Sequence, residues 1–293
     1  MNPIPISPKY FPDIFRTALK DSHKGNFGHV LVVAGSQAML GAGYLASLGA
    51  LRAGAGLATY ALPALAFDRF DARYPEIMPK ILPDDGDGFC NLQSLQVALK
   101  LLQGKESVVL GPAMGREPKI FEAIRKTIAD WTLPLVLDAE GINAFAGEGQ
   151  LLQQRKHPTI LTPHEGEMAT LLGWNIKEVK ADRLKALATA VTLCHCFVVL
   201  KGYQTLIGTP DGEIFINPTG NSGMATAGSG DVLAGIIAGF VARSIPVSQS
   251  LLAAVFLHGM AGDKAAETIG RRGLIASDLL TFFPKAMEHA KNF

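Results

Sequence analysis

The stretch Gly220-Asn221-Ser222-Gly223-Met224-Ala225-Thr226-Ala227-Gly228-Ser229-Gly230-Asp231 runs directly into Val232-Leu233-Ala234-Gly235-Ile236-Ile237. A loop of small residues opening an apolar helix leaves unpaired backbone N–H groups at the positive end of the helix dipole, which is a ready anion site. Gly228 and Gly230 let the backbone close around phosphate oxygens where a Cβ would collide. Asp231, in the first helical turn, is placed to accept a proton from a hydroxyl nucleophile. The same residues also read as a glycine-rich connection with Asp231 as a simple helix cap.

Upstream, short apolar runs alternate with amphipathic segments. The runs are His29–Ala34, Leu57–Leu62, Ser107–Leu110, Leu133–Leu137, Thr159–Leu161 and Phe197–Leu200. None alternates polar with apolar, as expected for strands covered on both faces of a parallel sheet. Leu184, Leu187, Ala188 and Val191 mark a helix by their i, i+3, i+4, i+7 spacing. Thr209-Pro210-Asp211-Gly212 reads as the turn of a hairpin between Thr205–Ile207 and Glu213–Ile216. Beyond residue 228 three helices are expected, over 231–243, 248–269 and 277–289. The whole predicts a doubly wound α/β fold with a mainly parallel central sheet flanked by helices, in one domain spanning 1–293. About 20 N-terminal residues, rich in proline, are expected to be peripheral.

Composition narrows the function. Hydrophobic residues are 48 % and charged residues 18 % of the 293, which excludes a disordered chain. A net charge of +1 leaves no electrostatic footprint for nucleic acid or an anionic membrane. The longest apolar stretch, 232–242, falls short of a bilayer span. Three cysteines without a C-x-x-C pair suit a reducing compartment. The N-terminus has neither a basic nor a long apolar region of the signal-peptide kind. A soluble, cytoplasmic protein is the expectation.

Other phosphate signatures fail. There is no P-loop, and Gly41-Ala42-Gly43-Tyr44-Leu45-Ala46 stands too far from its strand to be a dinucleotide fingerprint. Thr162-Pro163-His164-Glu165-Gly166-Glu167 follows a predicted strand, at the carboxyl edge where α/β folds place ligands. A carboxylate there can hold Mg²⁺ through water, or can simply favour a helix start. Asp138 and Lys201-Gly202 likewise end strands on that edge.

An ordered set of motifs then carries a resemblance: Lys24-Gly25-Asn26-Phe27-Gly28, Arg52-Ala53-Gly54-Ala55-Gly56, Gly111-Pro112-Ala113-Met114-Gly115, Leu161-Thr162-Pro163-His164, Leu200-Lys201-Gly202, the 220–231 loop, and His258-Gly259-Met260-Ala261-Gly262-Asp263. Over residues 24–280 the chain resembles the ADP/ATP-dependent NAD(P)H-hydrate dehydratases, a branch of the ribokinase-like superfamily. That resemblance implies repair of (6S)-NADH-hydrate and NADPH-hydrate. The hydroxyl at C6 of the damaged nicotinamide is phosphorylated from ADP or ATP with Mg²⁺, and phosphate is then eliminated. By position it implies Asp231 as catalytic base and substrate contact, with Ala42, Gly115 and His164 also meeting the hydrate. Lys201, Gly202, Tyr203, Gln204, Thr205, Gly228 and Gly230 would bind the nucleotide, and Glu167 would sit with the metal. A homo-oligomer, often a tetramer, is implied as well. Glu140, Glu165, Ser222 and Ala227 depart from the family pattern. Two other readings stay open. One is a kinase of a thiamin-precursor alcohol that stops after phosphorylation; the other is a nucleotide-binding sensor without turnover.

Overall fold

A computed structural model describes residues 2–17, 19–70 and 73–292. Their strands are β1 (Ile4–Pro5), β2 (His29–Val33), β3 (Leu57–Pro63), β4 (Ile77–Leu82), β5 (Ser107–Leu110), β6 (Leu135–Leu137), β7 (Thr159–Leu161), β8 (Phe197–Leu200), β9 (Leu206–Gly208) and β10 (Ile214–Ile216). They form a single ten-stranded sheet in the order β1-β10-β9-β8-β7-β6-β5-β2-β3-β4. Among these strands β9 alone runs against the rest, being antiparallel to both β8 and β10. Winding proceeds outward in both directions from the β2–β5 pair, so a topological switch point lies between their carboxyl ends.

Each central strand is buried on both faces, which explains its unbroken apolar sequence. Val30 and Val32 of β2 face one layer, while Leu31 and Val33 face the other. The first layer holds the helices Gly41–Arg52, Ser229–Ala242, Val247–Ile269 and Ala276–Ala290. The second holds Leu92–Leu101, Pro118–Thr127, Glu165–Leu172 and Arg183–Cys194. Helix Ser229–Ala242 is buried at every position from Val232 to Ala242, as an all-apolar helix must be. Ser107 Oγ on β5 donates to Ala238 O at 2.8 Å, fixing this helix against the sheet with Asp231 in its first turn.

The approach of Ser229–Ala242 to Gly41–Arg52 depends on glycine. A Cβ at Gly235 would lie 1.9 Å from Ala46 O, and one at Gly239 2.6 Å from Ala50 O. Gly235→Ala should gain about 1 kcal/mol in helix propensity and lose more than that to the backbone collision. Net stability is expected to fall by at least about 1 kcal/mol, read from the urea midpoint at unchanged slope; a rise would mean the helices separate freely.

Four features of the structure differ from the sequence reading. β4 was not anticipated, because Pro79 and Lys80 interrupt its apolar run; an edge strand tolerates both. β6 starts at Leu135, after Pro134, two residues later than the apolar run. The N-terminal segment is not peripheral. Ile4–Pro5 pairs with β10, and Ile6, Phe11 and Ile14 are buried, Phe11 with its ring 5.7 Å from that of Phe256. In helix Arg183–Cys194 the buried stripe is Ala186, Leu187, Ala190 and Val191, with Ala188 exposed. No helix among the described residues is long and apolar enough to cross a membrane.

Candidate functional site

The carboxyl ends of β6, β7 and β8 meet the amino end of helix Ser229–Ala242. Asp138, just past β6, is almost fully buried, and its Oδ1 accepts from both Thr162 Oγ1 and Lys201 Nζ at 2.7 Å. Lys201, just past β8, is anchored by its N–H donating to Pro163 O at 2.8 Å, and its ammonium stands 3.7 Å from Glu167 Oε2. Burial alone would lower the Lys201 pKa. The carboxylates of Asp138 and Glu167, with Asp231 beyond them, outweigh burial and hold it above its ordinary value.

Helix Glu165–Leu172 starts in a capping box. His164 Nδ1 accepts from the Gly166 and Glu167 N–H groups, and Glu167 Oε2 accepts from His164 N–H at 2.8 Å. With Nδ1 as acceptor, His164 Nε2 carries the proton and faces Glu167 Oε1 at 3.4 Å.

Asp231 does not cap its helix. Gly228 occupies the cap at φ +90°, no side chain bonds the free N–H groups, and the Asp231 carboxylate accepts no hydrogen bond from a described residue. Burial first, then the Asp138 carboxylate, push its pKa up to about 7, against the opposing pull of Lys201. A carboxyl poised near neutrality and free of partners suits a general base better than a cap.

Beside this cluster opens a cavity of about 770 Å³. Its lining includes Lys201, Gly202, Tyr203, Gln204, Thr205, Gly230 and His164, so these predicted site residues come together. Tyr203 is 85 % exposed on its wall. Gly228 does not line the cavity; a Cβ there would strike Leu45 Cδ1 at 2.4 Å and Ala276 Cβ at 3.0 Å. Ala42 and Gly115 do not line it either. Ala42 sits in the first turn of helix Gly41–Arg52, beside Leu40, whose carbonyl accepts from Tyr60 Oη at 3.2 Å. Gly115 packs against Phe89. Their two loops meet where Gly35 N–H donates to Pro112 O at 2.8 Å, at the switch point. Asp231 reaches this side too, since its charge bears on Tyr60, and the Glu140 charge, paired with Arg116 at 3.6 Å, bears on Asp231. Asp231 itself does not line the cavity, which its neighbours Ser229 and Gly230 border, and its charge is felt by Tyr60 beside the switch point.

Several supports were not visible from motifs. Asp263 pins the glycine loop by accepting from Gly220 N–H at 2.8 Å and Asn221 Nδ2 at 2.9 Å. His258 Nε2 lies 3.1 Å from Ser229 O, and burial lowers its pKa to about 4, so it is neutral and donates there. Both residues belong to the 258–263 motif, which pointed to the right place without showing what it holds.

Comparison with known proteins places the chain in a family and a fold. The family model of NAD(P)H-hydrate dehydratase matches residues 30–285. A bifunctional NAD(P)H-hydrate repair enzyme of Moorella thermoacetica is 40 % identical over 267 residues, 91 % of this chain and 50 % of its own length. The chain thus spans about half the length of that relative and of its bifunctional counterpart in Thermofilum pendens. The ADP-dependent (S)-NAD(P)H-hydrate dehydratase of Neisseria meningitidis is 36 % identical, over 92 % of this chain and 88 % of its own. The structure of the ADP/ATP-dependent NAD(P)H-hydrate dehydratase from Bacillus subtilis, co-crystallised with ATP/Mg²⁺, superposes with a TM-score of 0.85 at 28 % identity, covering 99 % of both chains.

Proposed function

Because the chain belongs to the NAD(P)H-hydrate dehydratase family, we propose that it restores (6S)-NADH-hydrate and NADPH-hydrate to NADH and NADPH, using ADP or ATP. The observation that carries this reading is Asp231, a carboxyl raised to about 7 beside a cavity that holds the Lys201 ammonium. Asp231 takes the proton from the C6 hydroxyl as that oxygen attacks the terminal phosphorus. Lys201 and the N–H groups of Gly228, Gly230 and Asp231, which have no backbone acceptor among the described residues, offset charge on the transferring phosphoryl group. The ring-nitrogen lone pair then expels phosphate from C6, and loss of a proton from C5 restores the reduced nicotinamide. Hydroxide is a poor leaving group and phosphate a good one, which is the reason for spending a nucleotide.

Among the described residues no three acids and histidines converge into an all-protein metal cage. Mg²⁺ does not need one, since it takes one or two carboxylates together with substrate phosphates. Glu167 fits that donor set, with its side chain only 10 % exposed and lone pairs left beyond its bond from His164 N–H. Bound there, Mg²⁺ supplies charge neutralisation for the phosphates.

Hydrated NADH incubated with the protein, Mg²⁺ and ADP or ATP should regain the absorbance of reduced nicotinamide. No recovery with either nucleotide would overturn the reading. Gly230 tests the nucleotide half. A Cβ there lies 3.2 Å from Lys201 Nζ, so the branched side chain of Gly230→Val shifts the ammonium by a few tenths of an ångström, leaves its pair with Asp138 in place and narrows the phosphate end of the cavity. We expect ADP and ATP affinity to fall at least about tenfold by calorimetric titration, with the melting temperature nearly unchanged. Equal loss of affinity and stability would make Gly230 structural.

A further inference from the structure

The loop that closes the cavity over residues 201–205 is held from behind by one guanidinium. Arg183, at the start of helix Arg183–Cys194, donates through one terminal nitrogen to Tyr203 O at 2.5 Å, and through the other to Leu200 O at 3.1 Å and Lys201 O at 3.3 Å. Its Nε faces Glu165 Oε1 at 3.4 Å, and Glu165 also lies 3.9 Å from Lys180 Nζ. Arg183 does not line the cavity, whereas Glu165 and the loop it grips do.

The loop needs holding. Gly202 at φ +139° and Gln204 at φ +52° both have positive φ, and Gln204 is not a glycine. Gly202 also clears the way for the clamp, because a Cβ there would stand 3.1 Å from an Arg183 nitrogen. Three carbonyls drawn to one planar cation fix the backbone before and after Gly202 and the exposed Tyr203 ring, while the Lys201 ammonium is held separately by Asp138. A flexible ammonium is a point charge and cannot span the three acceptors in one plane.

We propose that Arg183, oriented by Glu165, is a positioning residue that sets the nucleotide-binding conformation of the 201–205 loop. This rests on the reading of the cavity as the nucleotide site. Its signature is selective: nucleotide affinity depends on Arg183, while the chemical step does not.

Titration of ADP and ATP by calorimetry, on wild type, Arg183→Lys and Glu165→Gln, tests it alongside limited chymotrypsin digestion without nucleotide. In Arg183→Lys we expect nucleotide Kd to rise at least tenfold, kcat at saturating nucleotide to stay within threefold, and cleavage after Tyr203 to accelerate. Glu165→Gln keeps all three carbonyl bonds, so a shift of about threefold in Kd and little change in cleavage is expected. Wild-type affinity and wild-type cleavage in Arg183→Lys would overturn the positioning role alone. Wild-type protein that binds neither nucleotide would overturn the reading of the cavity, and this inference with it. A parallel fall in kcat and nucleotide affinity, with the melting temperature, would overturn it in favour of a purely structural arginine.

Discussion

Asp231→Asn is expected to lower turnover by about 10²–10⁴, the usual worth of a general base, while ADP and ATP bind as before. The amide keeps the size of the side chain and loses the capacity to take the proton. In the wild type, activity should fall as pH drops through about 7, where the Asp231 carboxylate becomes protonated. Stability moves the other way. A carboxyl whose pKa is raised in the folded state from 3.8 to about 7 favours folding most when protonated, and that contribution is lost as pH rises through 7. The asparagine variant should therefore melt above the wild type at pH 8 and level with it near pH 4. Thermal melts at the two pH values, with initial rates of dehydration, check both halves. A kcat within threefold of wild type would remove Asp231 from the chemistry.

Lys201→Met should cost about 3 kcal/mol of folding stability, the low end for breaking a buried ion pair, because the lysine side chain is 18 % exposed while Asp138 is only 3 % exposed. The loss comes from Asp138, which would keep only the bond from Thr162 and stand close to Glu167 and Asp231 without a counter-charge. Asp138→Asn added to Lys201→Met should therefore recover most of the stability, read from urea midpoints. Without the ammonium, Asp231 should also titrate higher, moving the acid limb of the rate profile upward. A double variant no more stable than Lys201→Met would mean that the pair is not what the lysine supports.

The sheet was legible where strands are buried on both faces. The apolar runs at 29–34, 107–110, 159–161 and 197–200 became β2, β5, β7 and β8 with small boundary shifts, because nothing but a covered parallel strand accommodates them. Edge strands were not legible, since β4 carries a proline and a lysine and β1 is two residues long. The site was legible as strand ends and as a glycine loop, one residue at a time. What the sequence hides is which of those ends touch. Lys201 and Asp138 are 63 positions apart and Asp13 and Gln249 are 236 apart, and no local spacing records such pairs. Gly228 carries a second requirement that its place in the loop does not record: at φ +90° its missing Cβ leaves room for the Leu45 side chain. Arg183 stood outside every motif because it acts on backbone carbonyls, which any sequence supplies.

The most direct test follows two products of one reaction. Hydrated NADH, Mg²⁺ and ADP or ATP are mixed with the protein, and reduced-nicotinamide absorbance and inorganic phosphate are recorded together. Both are expected to appear, one phosphate for each NADH restored, and neither when nucleotide is omitted. Consumption of nucleotide with a stable phosphoester and no gain in absorbance would identify a kinase that stops before elimination, and would contradict this expectation.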